Sequence, residues 1–156
     1  MLEKNFPSAR SPISILIVDD HESILELLSF GFERQGFTVF KAMNGLEAWN
    51  LFNNECINVV FTDMQIPGLN GCELARKIRQ HSPLTKIAMT TGGDTVAVTE
   101  LLKEGTADYF FPKPYNIKSI CKIVAAEVET SQPMVVGEAA NGREAIDRRG
   151  SSSRMS

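Results

Sequence analysis

The sequence is poor in cysteine and contains no long hydrophobic run. Its 156 residues include three cysteines without C-x-x-C spacing, which argues against a disulfide framework or a zinc site. No apolar run approaches the roughly 20 residues that span a bilayer, and residues 1–12 lack the hydrophobic segment of a secretory signal. We therefore expect a cytoplasmic protein that makes no membrane contact.

Concentrated positive charge is also lacking. The formal net charge is −3, and no block of lysines and arginines is present of the kind that attracts nucleic acid. Direct binding to nucleic acid is therefore not expected. The chain is 43% hydrophobic and 22% charged, a composition that suits one globular domain with a substantial core.

What the sequence does contain is a repeated alternation of two patterns. Five times, a short run rich in hydrophobic residues is followed by a segment with helical spacing of its hydrophobic residues. The hydrophobic runs are residues 13–20, 37–42, 57–63, 86–91 and 108–111. Such alternation predicts an α/β fold, with a parallel five-stranded sheet that is doubly wound, so that helices cover both of its faces.

The two ends of the chain differ from this pattern. We expect residues 1–12 to form a flexible extension, residues 13–129 the folded domain, and residues 130–156 a largely disordered tail. Within the tail, residues 136–146 (VGEAANGREAI) match residues 39–49 (VFKAMNGLEAW) at several positions. This similarity is either a remnant of a duplicated strand–helix unit or a coincidence among common residues.

Polar residues collect where the predicted strands end. The first strand ends in Asp19 and Asp20, the third in Asp63, and the fourth in a pair of threonines that includes Thr91, while Lys113 follows the fifth. Each of these could have an ordinary structural role, as a helix cap, a turn residue or a solvated lysine. The carboxyl ends of parallel strands form the binding edge of an open α/β sheet, so we expect the five to meet there.

Three carboxylates that lie close together repel one another unless a cation is present. An oxygen-only cluster of this kind suits Mg²⁺. With a hydroxyl and a lysine nearby, it could support transfer of a phosphoryl group to a carboxylate. The sequence has no G-x-x-x-x-G-K-[ST] loop for binding a nucleotide, so the phosphoryl group should come from another molecule.

Four motifs in the chain carry a resemblance to a known family. They are VDDH at residues 18–21, TDMQIPGLNG at 62–71, TTGG at 90–93, and KP at 113–114. Together they resemble the receiver domain of bacterial two-component response regulators, over about residues 13–129. The resemblance implies a flavodoxin-like fold with strand order 2-1-3-4-5 and five flanking helices.

The resemblance also implies roles for individual residues. Asp63 corresponds to the aspartate that is phosphorylated, and Asp20 and Asp19 correspond to the acidic pair that binds Mg²⁺. Asp63 itself completes the set of carboxylates around the metal. Gln65 occupies the position whose backbone carbonyl is a metal ligand, and Lys113 the position of the lysine that pairs with the phosphoryl group.

A second group of residues corresponds to the conformational switch. Thr91 fits the switch hydroxyl better than Thr90, because the small Gly92 follows it. The switch aromatic is either Phe110, three residues before the lysine, or Tyr109. The interval from Gly105 to the lysine is one residue longer than is usual in the family, which leaves both aromatics open at this point.

By this resemblance, the protein is a signalling module and not an enzyme, apart from catalysing its own phosphorylation and dephosphorylation. The phosphoryl donor is a histidine kinase, and the output is a protein target bound by the face of the fourth helix, fifth strand and fifth helix. A homodimer is a further expected partner state. One alternative is a phosphorelay intermediate that passes phosphate to a histidine phosphotransfer protein. A magnesium-dependent phosphatase with an aspartyl phosphate is another, although Gln65 stands where such enzymes carry a second aspartate.

Two positions are expected to set the lifetime of the acyl phosphate. Gln65 lies two residues after Asp63, and Gly93 lies two residues after Thr91. In the family, side chains at both positions flank the path of the attacking water. A glutamine that orients water and a glycine that leaves the path open predict a lifetime of minutes rather than hours.

Overall fold

The computed structural model describes residues 12–93 and 95–130, which form a parallel sheet with helices on both faces. The strands are β1 Ser14–Val18, β2 Thr38–Ala42, β3 Val59–Asp63, β4 Lys86–Thr91 and β5 Tyr109–Pro112. The helices are α1 Glu22–Arg34, α2 Gly45–Asn54, α3 Gly71–His81, α4 Thr95–Lys103 and α5 Ile117–Thr130. The strand order β2-β1-β3-β4-β5 and the five helices confirm the predicted fold.

The predictions for the two ends of the chain concern residues that the structure does not describe. Residues 1–11 of the predicted extension, and the tail from residue 131 with its similarity between residues 136–146 and 39–49, lie outside the described residues.

Hydrophobic side chains fill a core on each side of the sheet. Alternate residues of a strand point to opposite faces, and in β1 Leu16 and Val18 face one core while Ile15 and Ile17 face the other. The first core packs against α2, α3 and α4, and the second against α1 and α5. The inner strands β1 and β3 are rich in hydrophobic residues because both of their faces are buried, whereas the edge strand β2 exposes Thr38 and Lys41.

Several helix ends are fixed by local polar contacts. The Asn44 side chain accepts a hydrogen bond from the backbone N–H of Glu47 at the start of α2, at 2.8 Å. Asn70 and Glu73 form a reciprocal capping box at the start of α3. Gly36 follows the end of α1 with φ +95°, a conformation that glycine adopts without strain. These contacts determine where the loops at the sheet edge begin and end.

A buried ion pair holds the opposite edge of the sheet, at the start of β4 and β5. The Arg79 guanidinium, near the end of α3, lies 2.7 Å from the Asp108 carboxylate and also donates to the backbone carbonyls of Thr106 and Thr85. Asp108 in turn accepts from the backbone N–H of Ile87 at 2.9 Å. The segment between α4 and β5, where the spacing departs from the family pattern, is therefore tied to α3 and β4.

The single tryptophan lies between α2 and α3. The Trp49 ring stacks on Phe52, with 5.9 Å between the ring centroids, and meets the His81 ring edge-on at 4.9 Å. The Lys77 ammonium lies 4.7 Å from the Trp49 centroid, within the range of a cation–π contact. These contacts join α2 to α3 at the surface.

Helices long and hydrophobic enough to cross a bilayer are not found among residues 12–93 and 95–130.

Candidate functional site

The carboxylate of Asp63 lies at the carboxyl end of β3 and is almost completely buried. Its Oδ2 atom is 2.6 Å from the Lys113 ammonium, and its Oδ1 accepts a hydrogen bond from the backbone N–H of Gln65 at 3.0 Å. The two residues of the ion pair are 50 positions apart in the chain. The sheet topology therefore brings the negatively charged Asp63 next to the positively charged Lys113, although the two follow different strands in the sequence.

The Asp19 carboxylate lies beside this pair, at the end of the neighbouring strand. It is 1% exposed, and its Oδ2 atom lies 4.0 Å from the Lys113 ammonium. Its Oδ1 accepts a hydrogen bond from the backbone N–H of His21 at 2.8 Å. The next residue, Asp20, has an exposed side chain whose Oδ1 is 3.2 Å from the His21 Nδ1. One acid of the pair is thus fixed in the fold, and the other faces solvent.

The hydroxyl of Thr91 is buried at the end of β4. Its Oγ1 accepts a hydrogen bond from the backbone N–H of Gly93 at 3.1 Å, which leaves the hydroxyl hydrogen available for donation. The Lys113 backbone N–H donates to the Thr91 carbonyl at 3.0 Å. This bond holds the chain that carries the lysine against the end of β4.

The loop after Asp63 folds closely back over the end of β3. Gly71, the first residue of α3, donates from its N–H to the Met64 carbonyl at 3.0 Å. A Cβ atom at Gly71 would lie 2.5 Å from the Asp63 carbonyl oxygen and 2.7 Å from the Met64 Cα. Both are backbone atoms that cannot move aside cheaply, so only glycine permits this approach.

The two aromatic residues considered for the switch lie on opposite faces of the sheet. Phe110 pairs in register with Met89 and belongs to the core on the α4 side. Thr91 follows Met89 by two residues, so its side chain points to the same face. Tyr109 belongs to the core on the α1 and α5 side. Phe110 therefore shares a face with the threonine hydroxyl, and Tyr109 does not.

A cleft of about 580 Å³ opens beside the acidic residues. Its lining includes His21, Gly92, Lys113 and Tyr115. The Tyr115 ring packs edge-on against Phe61. Burial raises the pKa of Tyr115 above its ordinary range, and the negative charges of Asp19 and Asp63 add to this effect. The tyrosine therefore keeps its proton and presents a neutral hydroxyl group.

Residues 15–125 match the response regulator receiver domain family. This is more than half of the chain. The protein belongs to the receiver domain family.

Individual relatives agree with this assignment. The transcriptional regulatory protein SrrA of Staphylococcus aureus is 31% identical over 122 residues, which are 78% of this chain and 50% of SrrA. The CheY-like receiver domain protein of Methanospirillum hungatei is 28% identical, with a TM-score of 0.72, over 78% of this chain and 97% of that structure. An adenylate cyclase structure from Rhodopirellula baltica is 29% identical, with a TM-score of 0.71, over 78% of this chain and 90% of that one. The chain spans about half the length of the curated relatives that it matches.

The residues of this receiver suit a hard divalent cation. One ligand atom each from Asp19, Asp20 and His21 lies within 4.8 Å of the others. Carboxylate oxygens are the preferred ligands of Mg²⁺, and the partly exposed Asp20 leaves the group open to solvent. The Asp63 carboxylate is joined to this group through Lys113. The donor set therefore fits a hard divalent ion such as Mg²⁺.

Two residues that line the cleft, His21 and Tyr115, are not among the predicted site residues. The position of His21 directly after the acidic pair is the signal that could have identified it. Nothing near Tyr115 in the sequence indicates its contact with Phe61, 54 positions away. The predicted residues Asp19, Asp20, Asp63, Thr91 and Lys113 all lie at the expected edge of the sheet.

Proposed function

We propose that this receiver accepts a phosphoryl group on Asp63 from a phosphohistidine of a histidine kinase, with Mg²⁺ bound at the same edge of the sheet. The contact between Asp63 and the Lys113 ammonium, at 2.6 Å, carries the proposal. It places a buried carboxylate nucleophile next to a fixed positive charge. Lys113 also lines a cleft at the surface, and we take this cleft as the approach of the phosphohistidine.

In the transfer, a carboxylate oxygen of Asp63 forms a bond to phosphorus while the bond between phosphorus and the imidazole nitrogen breaks. The leaving imidazole retains the electron pair of that bond and takes up a proton. Bound Mg²⁺ would supply charge neutralisation for the phosphoryl oxygens. The carboxylates of Asp19, Asp20 and Asp63, with the Gln65 carbonyl, are the groups that would hold it.

Two side chains of the protein can then hold the phosphoryl group. The Lys113 ammonium, now paired with Asp63, can pair with a phosphoryl oxygen. The Thr91 hydroxyl hydrogen is available to donate a hydrogen bond to another. Both contacts strengthen as negative charge accumulates, so they stabilise the transition state and the product.

Movement of the Thr91 side chain towards the phosphoryl group links phosphorylation of Asp63 to a change at the protein surface. Phe110 shares a sheet face with Thr91, so we assign it, and not Tyr109, as the aromatic that fills the vacated space. The consequence is a population shift of the surface formed by α4, β5 and α5. That surface would bind a downstream protein or a second copy of the chain.

Intact mass spectrometry after incubation with acetyl phosphate and Mg²⁺ tests this function. The wild type should gain one phosphate adduct, Asp63→Asn should gain none, and Glu55→Gln, an exposed acid away from the site, should behave as the wild type does. Incubation with a phosphorylated histidine kinase then tests the donor. An adduct of equal yield on Asp63→Asn, or no adduct on the wild type, would contradict the proposal.

A further inference from the structure

His21 occupies an unusual place in the candidate metal site. It lies between the acidic pair and α1, at the N-cap position, but its side chain makes no capping hydrogen bond. Its Nδ1 atom instead forms a hydrogen bond with the Asp19 Oδ1 at 3.0 Å and lies 3.2 Å from the Asp20 Oδ1, so a metal bound here would take the place of the proton shared with Asp19. The imidazole therefore turns away from the helix that it begins and towards the carboxylates.

These separations match those of neighbouring ligands around one ion. Metal–ligand distances of about 2.0–2.2 Å place adjacent ligand atoms of an octahedron about 3 Å apart. The distances from Nδ1 to the two carboxylate oxygens have this length, and the three ligand atoms lie within 4.8 Å of one another. One nitrogen and two oxygens could thus bind the same cation without a large rearrangement.

The surroundings of the His21 ring allow it to bind a metal ion. The His21 side chain is 66% exposed, so the ring can adjust its orientation and can carry its proton on Nε2 while Nδ1 provides a lone pair. His21 also lines the cleft that Lys113 and Gly92 border. A metal-bound imidazole would therefore border the same cleft as Lys113.

We propose that His21 is a ligand of the divalent ion, through Nδ1. The proposal rests on the proposed function, since it adds a nitrogen to the same site. A nitrogen ligand favours borderline ions such as Ni²⁺ and Co²⁺ far more than Mg²⁺, which prefers oxygen. His21 is then a specificity-determining residue: it widens the range of metals with which this receiver can work.

The test compares Ni²⁺ and Mg²⁺ binding to the full chain by calorimetry, in the wild type and in His21→Gln. Glutamine keeps a polar side chain but removes the imidazole. The Ni²⁺ affinity should fall by at least about tenfold, since even changing a group that only orients a ligand costs about that much. The Mg²⁺ affinity should change little. His81→Gln removes the other histidine of the chain and should bind both ions as the wild type does.

A spectroscopic measurement separates ligation from a structural role. Pulsed electron paramagnetic resonance of bound Mn²⁺ should show coupling to an imidazole ¹⁴N in the wild type and in His81→Gln, and none in His21→Gln. This proposal would be overturned if bound Mn²⁺ showed no ¹⁴N coupling in the wild type and the Ni²⁺ affinity were unchanged in His21→Gln. If Mg²⁺ still bound in that case, the proposed function would remain intact. If Asp20→Asn bound both Ni²⁺ and Mg²⁺ as the wild type does, that result would count against the metal site itself.

Discussion

At the scale of single residues, the site depends on contacts between groups far apart in the chain. The Asp63–Lys113 pair could be anticipated because strand ends of a parallel sheet share an edge and the motifs resemble those of receivers. The orientation of His21 Nδ1 and the burial of Tyr115 could not, because both follow from side-chain packing around the cleft. Strand periodicity carries no information about the rotation of a side chain within a loop.

The side chain of Gln65 should influence how long the acyl phosphate survives. It is exposed next to Asp63, and a Cβ atom at Gly93 would lie 3.4 Å from its Nε2. An amide here can orient the attacking water. Losing one such hydrogen bond, worth about 1 kcal/mol, should lengthen the half-life about fivefold in Gln65→Ala.

Following the phosphate adduct over time in Mg²⁺ checks this. The wild type should decay within minutes, and Gln80→Ala, which removes an exposed glutamine from α3, should match it. An hours-long half-life for the wild type, or no difference between it and Gln65→Ala, would show that the glutamine has no such effect.

At the scale of helices and strands, most boundaries could be predicted from local signals. Asn44 caps the start of α2 and Gly36 follows the end of α1, and both residue types are helix-end signals that a sequence displays on its own. The segment between α4 and β5 was harder, because its conformation depends on Arg79, 27 residues before the Thr106 carbonyl that it contacts. A long-range tether of this kind leaves no periodic signal in the sequence.

The role of this tether predicts a large loss of stability in Arg79→Ala. The change removes the Arg79 guanidinium from the buried Asp108 carboxylate and from the backbone carbonyls of Thr85 and Thr106. Breaking one side of a buried pair costs about 3–5 kcal/mol, so the free energy of unfolding in urea should fall by about that amount.

The matched variant is Arg79→Lys, which keeps the charge but loses the planar fork of donors. It should lose less stability than Arg79→Ala. Equal stability of Arg79→Ala and the wild type would mean that the pair does not hold α3 to the sheet.

In α5, burial raises the pKa of Glu127 above its ordinary value, although Lys86 opposes the effect. The folded state then favours the protonated acid, so the contribution of Glu127 to stability is greatest at low pH and declines as the pH rises through the folded-state pKa of this group. Glu127→Gln, which stays neutral, should be more stable than the wild type at pH 7.

Urea unfolding at a series of pH values measures this difference. It should shrink to nothing below the ordinary pKa of glutamate, where the acid is protonated in both states. A wild type that is more stable than Glu127→Gln at pH 7 would contradict the expectation and point to a favourable contact of the carboxylate.

At the scale of the whole molecule, the alternation of strands and helices was enough to predict a doubly wound parallel sheet. The order of the strands came with the family resemblance, because alternation alone permits more than one order. Binding of an output partner by α4, β5 and α5 stays a proposal, since the surface of one chain does not identify what it meets. The chain also spans about half the length of relatives such as SrrA.

The folded unit should not need the residues that follow α5. The family match ends at residue 125, and the α5 residues that pack against the core, up to Val128, all precede residue 131. A chain that ends at Thr130 should therefore keep the free energy of unfolding within about 0.5 kcal/mol, as expected for changes away from a core, and should still be phosphorylated.

Calorimetry and intact mass of this shortened chain, beside the full chain, provide the check. A marked loss of stability or of phosphorylation would show that residues 131–156 belong to the domain and are not a separate tail.

The position of Trp49 has a practical consequence for optical measurements. As the single tryptophan of the chain, it is the dominant fluorophore, and it lies between α2 and α3 under the Lys77 ammonium and beside the His81 ring. Its emission therefore reports solvent entry into that helix pair as the protein unfolds. Because none of its described contacts is with Asp63 or α4, a steady emission during phosphorylation would mark a change confined to the switch face, and a quench would show that it spreads across the sheet.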